Sequence, residues 1–220
     1  MPVEPADGEW REPTPEEALA ELEERQRRPR AFVRAPVALV GLLLAALLGW
    51  EGRHDFAYLF TARQPLTLGA EGSYALGEIV PNRYVQLHGL PTPRALYVDE
   101  KAGASVIVGL QGSPFLVLRA PLPGEERLPG RPPPPPDQRP FGVRGRLLTE
   151  AQAGPYADAF PKFRAFDGLQ PHAGQLYLVI EGDRPGKDPW MPVSLGLLFA
   201  FALFNAWLLV HALRAAWPTR

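Results

Sequence analysis

The chain contains no cysteine, so no disulfide framework, thiolate metal site or cysteine nucleophile can be built from it. Other groups that catalysis draws on are scarce too. There are four serines, and Ser113 in the stretch QGSPF lacks the strand-to-helix setting of a nucleophile elbow. His54, His88 and His172 are scattered, with no HxH, no HExxH and no histidine–carboxylate pair at metal-ligand spacing. The glycines form no phosphate-binding fingerprint ahead of a helix. Glu125, Glu126, Asp137, Asp158 and Asp167 fall in expected loops and read as solvated charge. A net charge of −1 leaves no basic footprint for nucleic acid. These absences argue against an enzyme and supply no cofactor or metal.

Two apolar runs stand out against that background. Ala35 to Trp50 and Trp190 to Leu213 contain no Asp, Glu, Lys or Arg. At about 1.5 Å of rise per residue, a helix over the second run covers a hydrocarbon core of roughly 30 Å. The first run is shorter, but Phe32 and Val33 extend it, and Arg34 can snorkel to the interface. The expectation is a membrane protein with transmembrane helices at 32–50 and 190–213 and one domain between them at 51–189.

Charge sets the expected topology. Arg25, Arg27, Arg28, Arg30 and Arg34 precede the first run, whereas Glu51, Arg53, His54 and Asp55 follow it as a mixed set. The positive-inside rule places the N-terminus in the cytoplasm. Two spans return the tail 214–220 to the same side, where Arg214 and Arg220 agree, and put the central domain outside. The Arg-, Ala-, Gly- and Pro-rich composition reads as bacterial, which makes this an inner-membrane protein with a periplasmic domain. A cleaved signal peptide fits less well, because the leader is long and no small-x-small site closes the run.

Residues 1–13 are polar and read as disordered, within a cytoplasmic arm at 1–31. Thr14 can cap a short helix at 15–28, with Pro15 at its first position and Glu17 completing a capping box. Pro29 is expected to separate that helix from the span. Beyond Trp50 the pattern turns to short runs of period two. Strands are expected at 83–90, 94–99, 104–110, 114–120, 141–149 and 175–182, with a weaker one at 74–80. In RYVQLHGL, Val85 and Leu87 share one face, and His88 lies on the other as a surface histidine. Six or seven strands predict a mainly-β domain, a small barrel (OB-like) or a sandwich.

Two segments interrupt the strands. The loop 121–140 holds five consecutive prolines, Pro132 to Pro136, which suit a stiff spacer or, alternatively, a recognition surface. The segment 155–170 carries Tyr156, Phe160, Phe163 and Phe166. These aromatics can form a helical turn packed over the domain or a contact site for a partner. Within the second apolar run, Asn205 needs a hydrogen-bonding partner, from the first span around Gly41 or from a foreign helix. Trp190 and Trp217 are candidate interface anchors, whereas Trp207 lies too deep for that and is expected to pack or face lipid.

The stretches RYVQLHG (Arg83 to Gly89), FLVLRAPLPG (Phe115 to Gly124) and FGVRGRL (Phe141 to Leu147) follow one another in the central domain. In that order, and in having two spans around a β domain, the chain resembles the surfeit-type cytochrome c oxidase assembly factors. The resemblance covers about half of the domain. It lacks the family's Trp-Gln cluster, its Asn-Arg-Gly-Trp stretch and the histidine opening the second span, so it implies fold and topology rather than haem handling. The function expected is that of a non-enzymatic accessory, assembly or scaffolding factor for a larger membrane complex, with a respiratory oxidase as the first partner to test. Asn205, Tyr156, Phe160, Phe163 and Phe166 are its candidate contact residues, and lipid and complex subunits its partners. The alternative is a small-ligand or haem-binding module, in which His88 or His172 lines a pocket.

Overall fold

The computed structural model describes residues 14–100, 103–126, 133–166 and 168–216. The polar arm 1–13, part of the proline loop (127–132), Asp167 and the tail 217–220 with Trp217 lie outside them.

Two compact units divide the chain, one holding α1 (Pro15–Glu51) with most of α4 (Trp190–Ala216), the other spanning Gly52–Ser194. In the first unit α1 runs without a break through Pro29 and Pro36, so the expected boundary at Pro29 is not there. Each proline removes one backbone donor and crowds the carbonyl four residues earlier, and the helix nonetheless continues on either side. In α4, the segment Trp190–Arg214 is long and apolar enough to cross a membrane. Small residues let the two helices approach: Ala38, Gly41 and Ala45 are buried on α1, against Asn205 and Ala212 of α4. Gly41 meets Asn205 while Gly49 faces Leu198, so the pair is antiparallel.

The second unit is built on one seven-stranded mixed sheet: β1 (Leu66–Gly69), β2 (Arg83–Gly89), β3 (Pro91–Glu100), β4 (Gly103–Leu110), β5 (Phe115–Arg119), β6 (Phe141–Thr149) and β7 (Tyr177–Glu181). Its order is β1-β2-β6-β7-β5-β4-β3, with β1–β2 and β5–β7 parallel and the other pairs antiparallel. A single sheet replaces the two packed sheets of a sandwich. The expected strand at 74–80 is instead a 3-10 turn at Leu76–Glu78, and the short β1 went unforeseen because LTLG offers too few residues to show alternation.

One face of the sheet gathers Leu68, Val85, Leu87, Val106, Val108, Leu110, Phe115, Val117, Val143, Leu147 and Val179 into a core. Leu68 on one edge strand and Leu110 near the other end of the order share that cluster, and the Tyr74 ring stands edge-on to Phe115 at 5.4 Å. The sheet therefore curls around this face. The opposite face of β4, β5 and β7 carries Ile107, Leu116, Leu118 and Leu178, covered by α3 (Ala159–Arg164) and its flanks. All five residues of β5 are buried because both faces are covered, which explains the apolar run of its first four.

Gly145 fixes the β6–β7 contact. A Cβ built there would collide with the Ile180 carbonyl oxygen and come within 3.0 Å of Val179 Cγ1. Only glycine allows the two backbones to lie this close.

Candidate functional site

Within the helix pair, Asn205 is 5% exposed, and its amide Nδ2 donates to the Phe201 carbonyl at 2.8 Å. Its side chain fills the space above Gly41, where a Cβ would stand 2.7 Å from Asn205 Cγ. Neither hydrogen-bonding partner expected from the sequence is seen among the described residues: the amide bonds to a carbonyl four residues back on its own helix, and the first helix contributes packing space at Gly41. The outward surfaces carry large apolar residues, among them Val40, Leu43, Leu197, Phe199 and Trp207, the last 60% exposed. Phe204, Trp207 and His211 stack in a row along α4, with ring centroids 6.2 and 5.7 Å apart.

The aromatic segment lies against the sheet. Phe160 and Phe163 are fully buried, while Tyr156 and Phe166 are half-buried against the same cluster. Phe166 meets Phe163 edge-on at 5.1 Å and receives the Arg94 guanidinium on its ring at 5.1 Å. Phe160 and Phe163 thus offer no surface to a partner in this conformation.

Two buried arginines organise the polar chemistry of the sheet domain. Arg119 forms a two-pronged pair with Glu125, at 2.6 Å from Nη1 to Oε2 and 2.7 Å from Nη2 to Oε1. Glu125 also accepts from the backbone N–H groups of Leu122 and Asp137. Burial pushes the Glu125 carboxyl up, but the guanidinium and the two N–H donors outweigh it and hold the carboxyl below its ordinary value. Glu125 was expected to be solvated; it is 2% exposed instead. The described part of the proline loop is pinned over β3 as well, where Tyr97 donates to the Pro134 carbonyl at 2.7 Å and Gln138 to that of Thr92.

Arg146 on β6 anchors α2 (Arg53–Leu59). Its Nη1 donates to Asp55 at 2.7 Å, its Nε to Asn82 at 2.8 Å, and its guanidinium lies 4.5 Å over the Tyr58 ring. The Tyr58 hydroxyl donates to the Asp183 carbonyl, and Asn82 Nδ2 to the His54 carbonyl. Burial pushes the Tyr58 phenol well above its ordinary value. Asp183 is also raised by burial, against the pull of Arg146 and Lys187.

Beside this clasp, a hollow of about 440 Å³ is lined by Gln86, His88, Gly142, Val143, Arg144, Glu181 and Gly182. Val85 and Leu87 point into the core while His88 is exposed, which is the alternation read from the sequence. His88 lies over Gly142, where a Cβ would stand 2.5 Å from its Cε1. Ser113 is buried in the β4–β5 turn, donating to the Leu110 carbonyl and accepting from the Phe115 N–H. His172 belongs to a bridge with Gln175. Among the described residues no group of three or more His, Asp and Glu can hold a metal ion.

The sequence reading missed Arg119–Glu125 and Arg146–Asp55. An arginine inside the apolar run FLVLRA was the visible signal for the first. The second joins residues 91 positions apart and left none. Compared with family models, with curated proteins and with solved structures, the chain finds no match.

Proposed function

We propose that this chain is a non-enzymatic accessory factor of a bacterial inner-membrane complex, an assembly or scaffolding component. In this reading α4 and the apolar part of α1 are its two spans, the termini are cytoplasmic, and the sheet domain is periplasmic. The observation that carries it is the character of the helix pair. Small residues and Asn205 are spent on the contact between the two helices, while the outward surfaces are apolar and unpartnered. Such surfaces need lipid or the helices of other subunits. The asymmetry of arginines around the first apolar run supplies the orientation. Resemblance to the surfeit-type factors makes a respiratory oxidase the first partner to seek.

Affinity purification of the tagged chain from its native membrane in mild detergent, with mass spectrometry of the eluate, tests this reading. Stoichiometric subunits of a membrane complex support it, and recovery of the chain alone counts against it. The hollow beside His88 favours a second reading, a periplasmic module for a small ligand or haem. Titration with haem, followed by absorbance in wild type and His88→Ala, separates the two: a spectrum dependent on His88 supports the module.

A further inference from the structure

Strand β6 presents two arginines, Arg144 and Arg146, two residues apart on the face of the sheet turned away from the Val143 and Leu147 core. Both are held in the same way. Arg144 Nε donates to Gln86 Oε1 at 2.8 Å, just as Arg146 Nε donates to Asn82 Oδ1 at 2.8 Å. Each amide fixes the plane of its guanidinium and leaves the Nη edge free to meet an acceptor. For Arg146 the chain supplies that acceptor itself. Asp55 of α2 receives Nη1, and Tyr58, one turn further along the helix, covers the guanidinium face. For Arg144 the described residues supply neither. Among the described residues no acceptor meets its Nη1 or Nη2, and the side chain is exposed along the hollow of about 440 Å³.

Gln86 and His88 line the hollow with Arg144, and the acidic Glu181 lines it as well. Because Gln86 Oε1 is taken by a permanent cation, the amide NH2 faces His88 Nε2 at 3.3 Å. That nitrogen then accepts, which puts the ring proton on Nδ1, on the side of the imidazole over Gly142. Gly142 keeps the imidazole flat on the strand, since a Cβ there would stand 2.6 Å from Nδ1. An arginine whose Nε is already bonded has lost much of its rotamer freedom before any ligand arrives, which favours paired recognition of a planar carboxylate.

We infer that Arg144, with Gln86 and His88, is a docking site for an acidic side chain of a partner protein, presented as Asp55 is presented to Arg146. The chain's own α2 shows the form of the occupant: a helical turn carrying Asp or Glu, with an aromatic residue three positions later. This inference rests on the proposed accessory role and names how the sheet domain holds the complex.

The experiment uses the full-length chain purified in mild detergent from its native membrane, as wild type, Arg144→Ala and Arg144→Lys. Arg144→Ala is expected to lower the yield of co-purifying subunits at least tenfold while its thermal unfolding stays at the wild-type midpoint. In the Arg144→Lys preparation, a zero-length carbodiimide is expected to join the new amine to an Asp or Glu of a co-purifying subunit, identified by mass spectrometry of the linked peptides. Undiminished recovery of the subunits with Arg144→Ala, without that cross-link, overturns the docking site and leaves the accessory role standing. Wild type recovered alone overturns both. An anionic lipid headgroup is the competing occupant. If Arg144→Ala abolishes binding to phosphatidylglycerol vesicles but keeps the subunits, the site belongs to lipid and the inference fails.

Discussion

Asn205 and Gly41 interlock: the Asn205 amide sits where a side chain at position 41 would have to stand, and its Nδ2 is tied to the Phe201 carbonyl. Asn205 cannot withdraw without breaking that bond. Gly41→Ala is therefore expected to destabilise the helix pair by about 1–3 kcal/mol, the usual cost of overpacking a well-filled contact. Adding Asn205→Ala should recover part of the loss, because the double variant removes the collision as well as the amide. Thermal melts of far-ultraviolet circular dichroism in detergent measure both. Strictly additive losses would show that the two residues do not share a contact.

Gly145→Ala has no such escape. Its Cβ would strike a backbone carbonyl, Ile180 O, rather than the tip of a movable side chain. The β6–β7 ladder must open or the variant must misfold, so the near-ultraviolet spectrum of the folded domain and its resistance to limited proteolysis are expected to disappear. Gly142→Ala, on the exposed strand position under His88, should leave both in place because the imidazole can swing aside.

Phe160 separates packing from partner contact in the aromatic segment. It is fully buried against Leu116 and Leu178, so Phe160→Ala should cost about 3–5 kcal/mol of domain stability. Chemical denaturation reads that loss directly. A variant of unchanged stability that fails to retain its partners would assign Phe160 to an interface instead.

What the sequence made legible follows from the range of each interaction. Period-two alternation in RYVQLHG is local, and it placed Val85 and Leu87 inward and His88 outward correctly. The same logic found the strands of β3 to β7 within a few residues, and the apolar run of α4 declared its own length. The parallel pairing of β5 with β7 was not legible, since it depends on which distant segments meet. Nor was the site beside Arg144. Gln86 and Arg144 are 58 residues apart, and Arg144 differs from Arg146 only in what α2 reaches. Glu125 looked like loop charge because a carboxylate in a Pro- and Gly-rich stretch gives no sign that a strand arginine awaits it.

That buried pair makes the stability of the sheet domain depend on acid. Removing one partner strands the other charge at a site only a few per cent exposed, so Glu125→Gln or Arg119→Met is expected to cost about 3–5 kcal/mol. Replacing both residues with apolar ones should cost less than either single change, because no charge is left unpaired. The sign of the pH dependence follows from the depressed carboxyl. A group whose folded value lies below its unfolded one contributes fully above the ordinary value of about 4.5 and loses that contribution as pH falls through the lower folded value. Wild type should therefore lose stability on acidification from pH about 5 downward, and Glu125→Gln should show a shallower acid limb over the same interval. Denaturant midpoints measured from pH about 7 to pH about 3 compare the two. Parallel limbs would mean that the pair carries none of the acid sensitivity, and the described part of the proline loop would then owe its position to Tyr97 and Gln138 rather than to Glu125.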